Sequence, residues 1–187
     1  MMSTVFLRIL LVTIATVQCS CRIAPPRFVT TISPGWSVGG VDIAADGTVV
    51  VASYFCTINT VLGNGTAIVV AGAVSVCAFA DGIGRNARFN VPLGIARDAR
   101  RNILYIADEY NNAIRVLNLL TFAVTTLFGL TFGYNNGAFS VVQLKYCIDV
   151  VYSKSEILYV VDFGNGVVRR ANLNTSLVAT VSAPLIG

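Results

Sequence analysis

The chain has 187 residues, of which 55% are hydrophobic and only 12% charged, with a formal net charge of +4. That length suffices for a substantial core, and the basic residues are scattered, so no nucleic-acid footprint stands out. Histidine is absent from the sequence, which removes the usual general base and the commonest ligand of zinc, copper and iron.

Residues 1–19 read as a secretory signal helix. Met1 to Arg8 carry one cation, Ile9 to Val17 form an apolar core, and Val17-Gln18-Cys19 places small side chains before a cleavage site. The mature chain is therefore expected to begin at Ser20 and to be secreted. An uncleaved membrane anchor is the alternative, although the run is short for a bilayer span. Residues 20–35 read as a linker. Cleavage leaves Cys21, Cys56, Cys77 and Cys147, an even set that favours disulfides in a secreted chain, with three connectivities open.

From residue 36 onward, short apolar runs alternate with turn residues, as half-buried strands do. A first unit, about 36–72, has expected strands at 39–44, 48–52, 58–62 and 67–71. A second, about 91–129, has them at 94–97, 103–107, 113–117 and 123–128. A third, about 144–182, has them at 147–151, 157–161, 167–171 and 177–181. The units repeat one another. Ile103-Leu104-Tyr105-Ile106-Ala107-Asp108 returns as Ile157-Leu158-Tyr159-Val160-Val161-Asp162, 54 residues on, and Val49-Val50-Val51-Ala52-Ser53 is a weaker copy. Repeats of this length built from short β runs predict an all-β fold, a partial β-propeller of three four-stranded blades following the signal helix. The uncharged stretch from Val116 to Leu144 contains Thr and Gly and lies in register with the repeat, so it reads as strands and not as a membrane span. Two sequons, Asn64-Gly65-Thr66 and Asn174-Thr175-Ser176, fall in the same hairpin of two different units.

The residues with chemical potential have structural readings close at hand. Asp108 and Asp162 are oxygen donors of the kind calcium accepts, but their recurrence at one position favours a role in bracing the turn. Glu109 occurs in one unit alone and is the better candidate for something site-specific. Asp81-Gly82-x-Gly84 lacks the lysine of a phosphate-cradling loop and reads as a glycine turn. Arg100-Arg101 reads as a solvated hairpin tip, and Arg115 and Arg169 as bonding between blades. Tyr110 and Phe163 occupy equivalent connections, either exposed for binding or packed between blades.

Asp108-x-x-Asn111-x-x-Ile114-Arg115 and Asp162-x-x-Asn165-x-x-Val168-Arg169 resemble the core of the NHL repeat. Phe79-x-Asp81-Gly82-x-Gly84-x-x-Ala87-x-Phe89-x-x-Pro92-x-Gly94 is similar to the linker that precedes such a repeat. The first copy departs from the pattern at Ser53, which replaces the motif Asp, and the third has Asn136-Gly137 in place of Asp-Gly. The resemblance implies a β-propeller that binds proteins, peptides or RNA through one face. Three blades do not close a ring of about four to eight, so it also implies part of a longer propeller or, less favoured, two copies sharing one ring.

In a propeller the connections between second and third strands and the linkers between blades emerge on one face. That places Cys56 and Cys77 together, and a Cys56–Cys77 bridge is expected. It also gives a candidate binding face of Arg85, Arg88, Glu109, Tyr110, Asn111 and Phe163, opposite the face holding Asn64, Arg100, Arg101 and Asn174. The favoured function is a secreted, non-enzymatic interaction module without a cofactor, whose partner is a protein or another extracellular ligand. A degenerate fragment of a calcium-dependent propeller hydrolase and an RNA-binding module are the alternatives.

Overall fold

The computed structural model describes residues 37–43 and 47–181. The signal helix, the cleavage site, the 20–35 linker and Cys21 lie outside the described residues. The first blade is an antiparallel meander of β1 (Val38–Ile43), β2 (Val49–Ser53), β3 (Thr57–Val61) and β4 (Ala67–Gly72). A linker carrying β5 (Gly82–Ile83) leads to β6 (Pro92–Asp98), β7 (Ile103–Asp108), β8 (Ala113–Asn118) and β9 (Ala123–Gly129) of the second blade. Three short strands follow, β10 (Thr131–Phe132), β11 (Gly137–Ala138) and β12 (Gln143–Leu144). The third blade comprises β13 (Cys147–Ser153), β14 (Ile157–Asp162), β15 (Val167–Asn172) and β16 (Leu177–Thr180).

The expected strands agree with the observed ones to within a residue or two, and the Val116–Leu144 stretch holds the end of β8 and strands β9 to β12 with turns between them. The expected four strands become five in the second and third blades. There the linker leading into each blade pairs with its outermost strand, β5 with β9 and β11 with β16. Each of these pairs spans two residues, too short for any side-chain alternation to announce it.

The blades stack through two apolar layers. Val50, Ala52, Ile58 and Ala71 of the first blade meet Ile95, Leu104, Ile106, Leu117 and Val124 of the second, sealed by Phe89 from the linker. Ala96, Tyr105, Ala107, Ile114 and Phe128 on the other side of the second blade meet Leu144, Val150, Leu158, Val160 and Val178. Leu104 and Ile106 thus face one neighbour while Tyr105 and Ala107 face the other. The middle blade is apolar on both sides, hence its unbroken apolar strand; each such Leu or Ile contributes about 1.5–3 kcal/mol. The third blade lacks a neighbour on its far side among the described residues, and its Tyr159 is 39% exposed where the equivalent Tyr105 is 3%.

Innermost strands β1, β6 and β13 run side by side at very short range. A Cβ on Gly40 would lie 2.5 Å from the Leu93 carbonyl oxygen, and one on Gly94 would fall on Asp149. These glycines are required by backbone approach, not by a left-handed conformation.

Candidate functional site

Asp108 ends β7 and organises the connection to β8. Its Oδ1 accepts the Asn90 N–H at 2.7 Å, and its Oδ2 accepts Asn111 Nδ2 at 2.8 Å and Arg115 Nη1 at 2.7 Å. Burial raises the Asp108 carboxyl, and these donors pull the other way. Residues Glu109–Asn111 then form one 3-10 turn, closed by Asn112 in the left-handed region at φ 51°, a conformation Asn tolerates. The third blade repeats the device. Asp162 Oδ1 accepts the Lys145 N–H at 2.7 Å, its Oδ2 accepts Asn165 Nδ2 and Arg169 Nε at 2.8 Å, and Gly166 closes the turn at φ 65°. Asp108 and Asp162 are fully buried and brace turns.

Arg115 reaches on to the linker that precedes its own blade. It donates to the Arg88 and Ala80 carbonyls and to Asp81 Oδ1, at 3.0, 2.9 and 2.7 Å. Its guanidinium lies over the Phe79 and Phe89 rings, 4.7 and 5.3 Å from their centroids. Asp81 in turn accepts the Thr126 N–H and hydroxyl. Against its partial burial, the bonds from Arg115 and Thr126 hold Asp81 below the ordinary carboxylate value. Arg169 binds Asn136 in the corresponding way, with Thr180 in the place of Thr126 and Tyr134 under the guanidinium. Arg115 and Arg169 are thus anchors between linker and blade, a narrower role than the inter-blade bonding expected of them.

The first blade uses other chemistry. Val51 pairs with Asn59 as Ile106 pairs with Arg115, so Ser53 and Asn59 replace the ion pair. Asn59 is buried, donates to Thr57 Oγ1 at 3.0 Å, and its Oδ1 has no partner among the described residues. The tie to the following linker is the Cys56–Cys77 disulfide, with Cα atoms 5.3 Å apart. Cys56 has φ 66° and takes the place of Asn112. Cys147 is buried beside the Ala113 carbonyl and has no disulfide partner among the described residues, and burial pushes its pKa up.

On this face Glu109, Tyr110, Asn112, Phe132, Tyr146 and Phe163 line a shallow depression of about 480 Å³. Tyr110 and Phe163 are exposed, at 53% and 64%. Tyr146 meets Tyr110 edge-on at 5.9 Å and Phe132 at 5.5 Å between centroids. Asn112 Oδ1 accepts the Tyr146 N–H at 2.9 Å, which joins the two blades at the rim. Of the expected face residues, Glu109, Tyr110 and Phe163 come together here. Asn111 is committed to Asp108 and the Ala78 carbonyl. The Arg88 guanidinium turns back onto the Arg85 and Ala87 carbonyls, and Arg85 is exposed in the 3-10 turn Gly84–Asn86; neither lines the depression. Phe132, Tyr146 and Asn112 were not anticipated. The first two lie in the second linker, whose sequence departs from the first, so repeat matching does not reach them.

On the opposite face Arg100 and Arg101 are the solvated hairpin tip expected of them, but they also bond to the next blade. Arg100 Nη2 and Arg101 Nη1 pair with Glu156 of the next blade at 2.6 and 2.5 Å, Arg100 also donates to the Tyr152 hydroxyl, and Arg101 pairs with Asp98 at 3.1 Å. Two carboxylates from different blades converge there, and hairpin composition gives no hint of it. Asn64 and Asn174 are exposed on the same side.

These meanders, packed face to face around close-set inner strands, are blades of a β-propeller. Among solved structures, an auxiliary nutrient binding protein from Bacteroides thetaiotaomicron matches with a TM-score of 0.66 and 19% identity, over 82% of this chain and 40% of that one. A chain of a nidogen/laminin complex matches with a TM-score of 0.60 and 14% identity, over 82% and 51%. No family model matches the chain. By sequence, human NHL repeat-containing protein 2 is 35% identical over 107 residues, 54% of this chain and 14% of that protein's length. The sequence likeness of the blades is to a protein of NHL repeats. Among the described residues no helix is long and apolar enough to cross a membrane.

Proposed function

We propose that the chain is a secreted, non-enzymatic interaction module that binds a protein through the face carrying the Asp108–Ala113 and Asp162–Val167 connections. The observation that carries this reading is the depression rimmed by exposed Tyr110, Phe132, Tyr146 and Phe163. Amphipathic rings held on rigid turns supply contact area at low entropic cost, which is why they concentrate binding energy at interfaces. The two aspartates that brace the turns, by contrast, are committed to structure: Asp108 and Asp162 spend their oxygens on backbone, Asn and Arg donors. Secretion is supported by the signal-like N-terminus, the sequons and the disulfide.

The test is a comparison of faces. Extracellular proteins cross-linked to the purified chain are identified, and binding of the leading partner is measured against paired variants. Tyr110→Ala with Phe163→Ala is expected to weaken binding about tenfold or more. Lys154→Ala with Asn174→Gln, on the other face, is expected to leave it unchanged. The reverse pattern refutes the assignment of the face.

A further inference from the structure

We propose that the depression receives the ammonium group of a lysine side chain carried by the protein partner, held against the aromatic rings and paired with the Glu109 carboxylate. This rests on the binding face just proposed and adds the chemistry recognised there.

Three observations point to a cation. The rings stand steeply to one another, with interplanar angles of 74° for Tyr110–Tyr146 and 77° for Phe132–Tyr146, so they form walls around the depression instead of one flat stack. Ring faces carry the negative part of the aromatic quadrupole and attract ammonium groups within about 6 Å. Lys145 of the chain itself demonstrates this, with Nζ 5.1 Å from the Phe132 centroid. Glu109 supplies the third. It lines the same depression, and its carboxylate makes no hydrogen bond or ion pair among the described residues. Burial pushes that carboxyl upward, the opposite of the state of Asp81, whose oxygens are occupied. A partly buried carboxylate without a counter-charge gains from any cation brought to it. Lys145 is the charge that works against a second cation, and it does not pair with Glu109.

The probe is an acetylated, amidated Gly-Gly-Lys-Gly-Gly peptide, compared with its norleucine counterpart, which has a similar apolar stem and no charge. Binding is followed by NMR on the aromatic resonances. The lysine peptide is expected to shift Tyr110, Phe132, Tyr146 and Phe163 and to bind about fivefold or more tightly than the norleucine peptide. Glu109→Gln is expected to lose about fivefold without disturbing the rest of the spectrum, since the carboxylate holds nothing else in place. Lys145→Met is expected to tighten binding. Equal binding of the two peptides, insensitivity to Glu109→Gln, or absence of shifts at these rings overturns the cation site. If the Tyr110 and Phe163 variants still weaken the partner in that event, the face stands and only its chemistry is refuted.

Discussion

Asp108 and Arg115, seven residues apart on either side of one connection, form a fully buried ion pair at 2.7 Å, and Asp162 and Arg169 repeat it at 2.8 Å. Neither pair is isolated. Each carboxylate also accepts a backbone N–H and an Asn side chain, and each guanidinium also caps linker carbonyls and lies over an aromatic ring. The pair therefore fixes two things together, the shape of the turn and the path of the linker that returns to the inner strand.

Removing one member leaves an uncompensated buried charge and several orphaned carbonyls. Arg115→Leu is expected to destabilise by about 3–5 kcal/mol, and Arg169→Leu by a similar amount. Chemical denaturation measures this, and Asp108→Asn combined with Arg115→Leu should cost clearly less than the sum of the two single changes. Additive losses would mean that the pair does not act as a unit.

The repeat made the strands legible because a strand between two blades must be apolar on both faces, as Ile103 to Ala107 is, and Ile157 to Val161 repeats that pattern. Asp108 and Asp162 were equally legible as braces of their turns, whereas Arg115 read as a bond between blades and Asn111 as part of the binding face, and the structure commits both to the turn and linker. What could not be read was whatever depends on two segments meeting across blades. Tyr146 and Phe132 join the aromatic depression from a linker without a matching copy, and Glu156 reaches Arg100 and Arg101 from the neighbouring blade. Arg88 looked available in the sequence because a side chain's return to its own backbone leaves no trace in residue spacing.

The first blade has Ser53 and Asn59 where the others have the ion pair, and it adds a covalent tie to the linker that follows it. Cys77 and Ala78 are adjacent, and Cys77 ties the linker back to Cys56 while Asn111 of the next blade holds the Ala78 carbonyl. The linker is thus gripped from both blades at neighbouring residues. With a sequence separation of 21 between the cysteines, opening the loop by changing both to Ser is expected to cost about 3 kcal/mol. Melting with and without reductant checks this. The wild-type chain should lose stability under reductant and the double variant should not respond.

The Glu156 cluster joins the second and third blades on the other face and titrates. Hydrogen bonding from Arg101 is the main cause that lowers the Glu156 carboxyl below its ordinary value of 4.5. A folded-state value below the unfolded one contributes stability that is present above the unfolded pKa and lost as pH falls through the folded one. Glu156→Gln is therefore expected to lower the melting temperature modestly at pH 7, and the gap to wild type should shrink as pH falls below 4.5. A gap that is constant from neutral to acid pH would show that the carboxylate charge contributes nothing.

The separation of the two faces gives the two sequons a testable consequence. Asn64 and Asn174 are exposed in the β3–β4 and β15–β16 hairpins, and both hairpins emerge opposite the aromatic depression. In the first, Asn64 Oδ1 accepts the Thr66 N–H at 2.9 Å, an Asx-type turn that presents the side chain at a hairpin tip. Glycans there would cover the hairpin side and leave the Tyr110 side open to a partner. Expressed in a secretory host, the chain is expected to begin at Ser20 and to lose mass on treatment with an N-glycosidase. Asn64→Gln and Asn174→Gln should each remove one step of that loss. A product that retains Met1 and shows no shift would refute the extracellular assignment, and with it the reason for preferring one face to the other on grounds of glycan shielding.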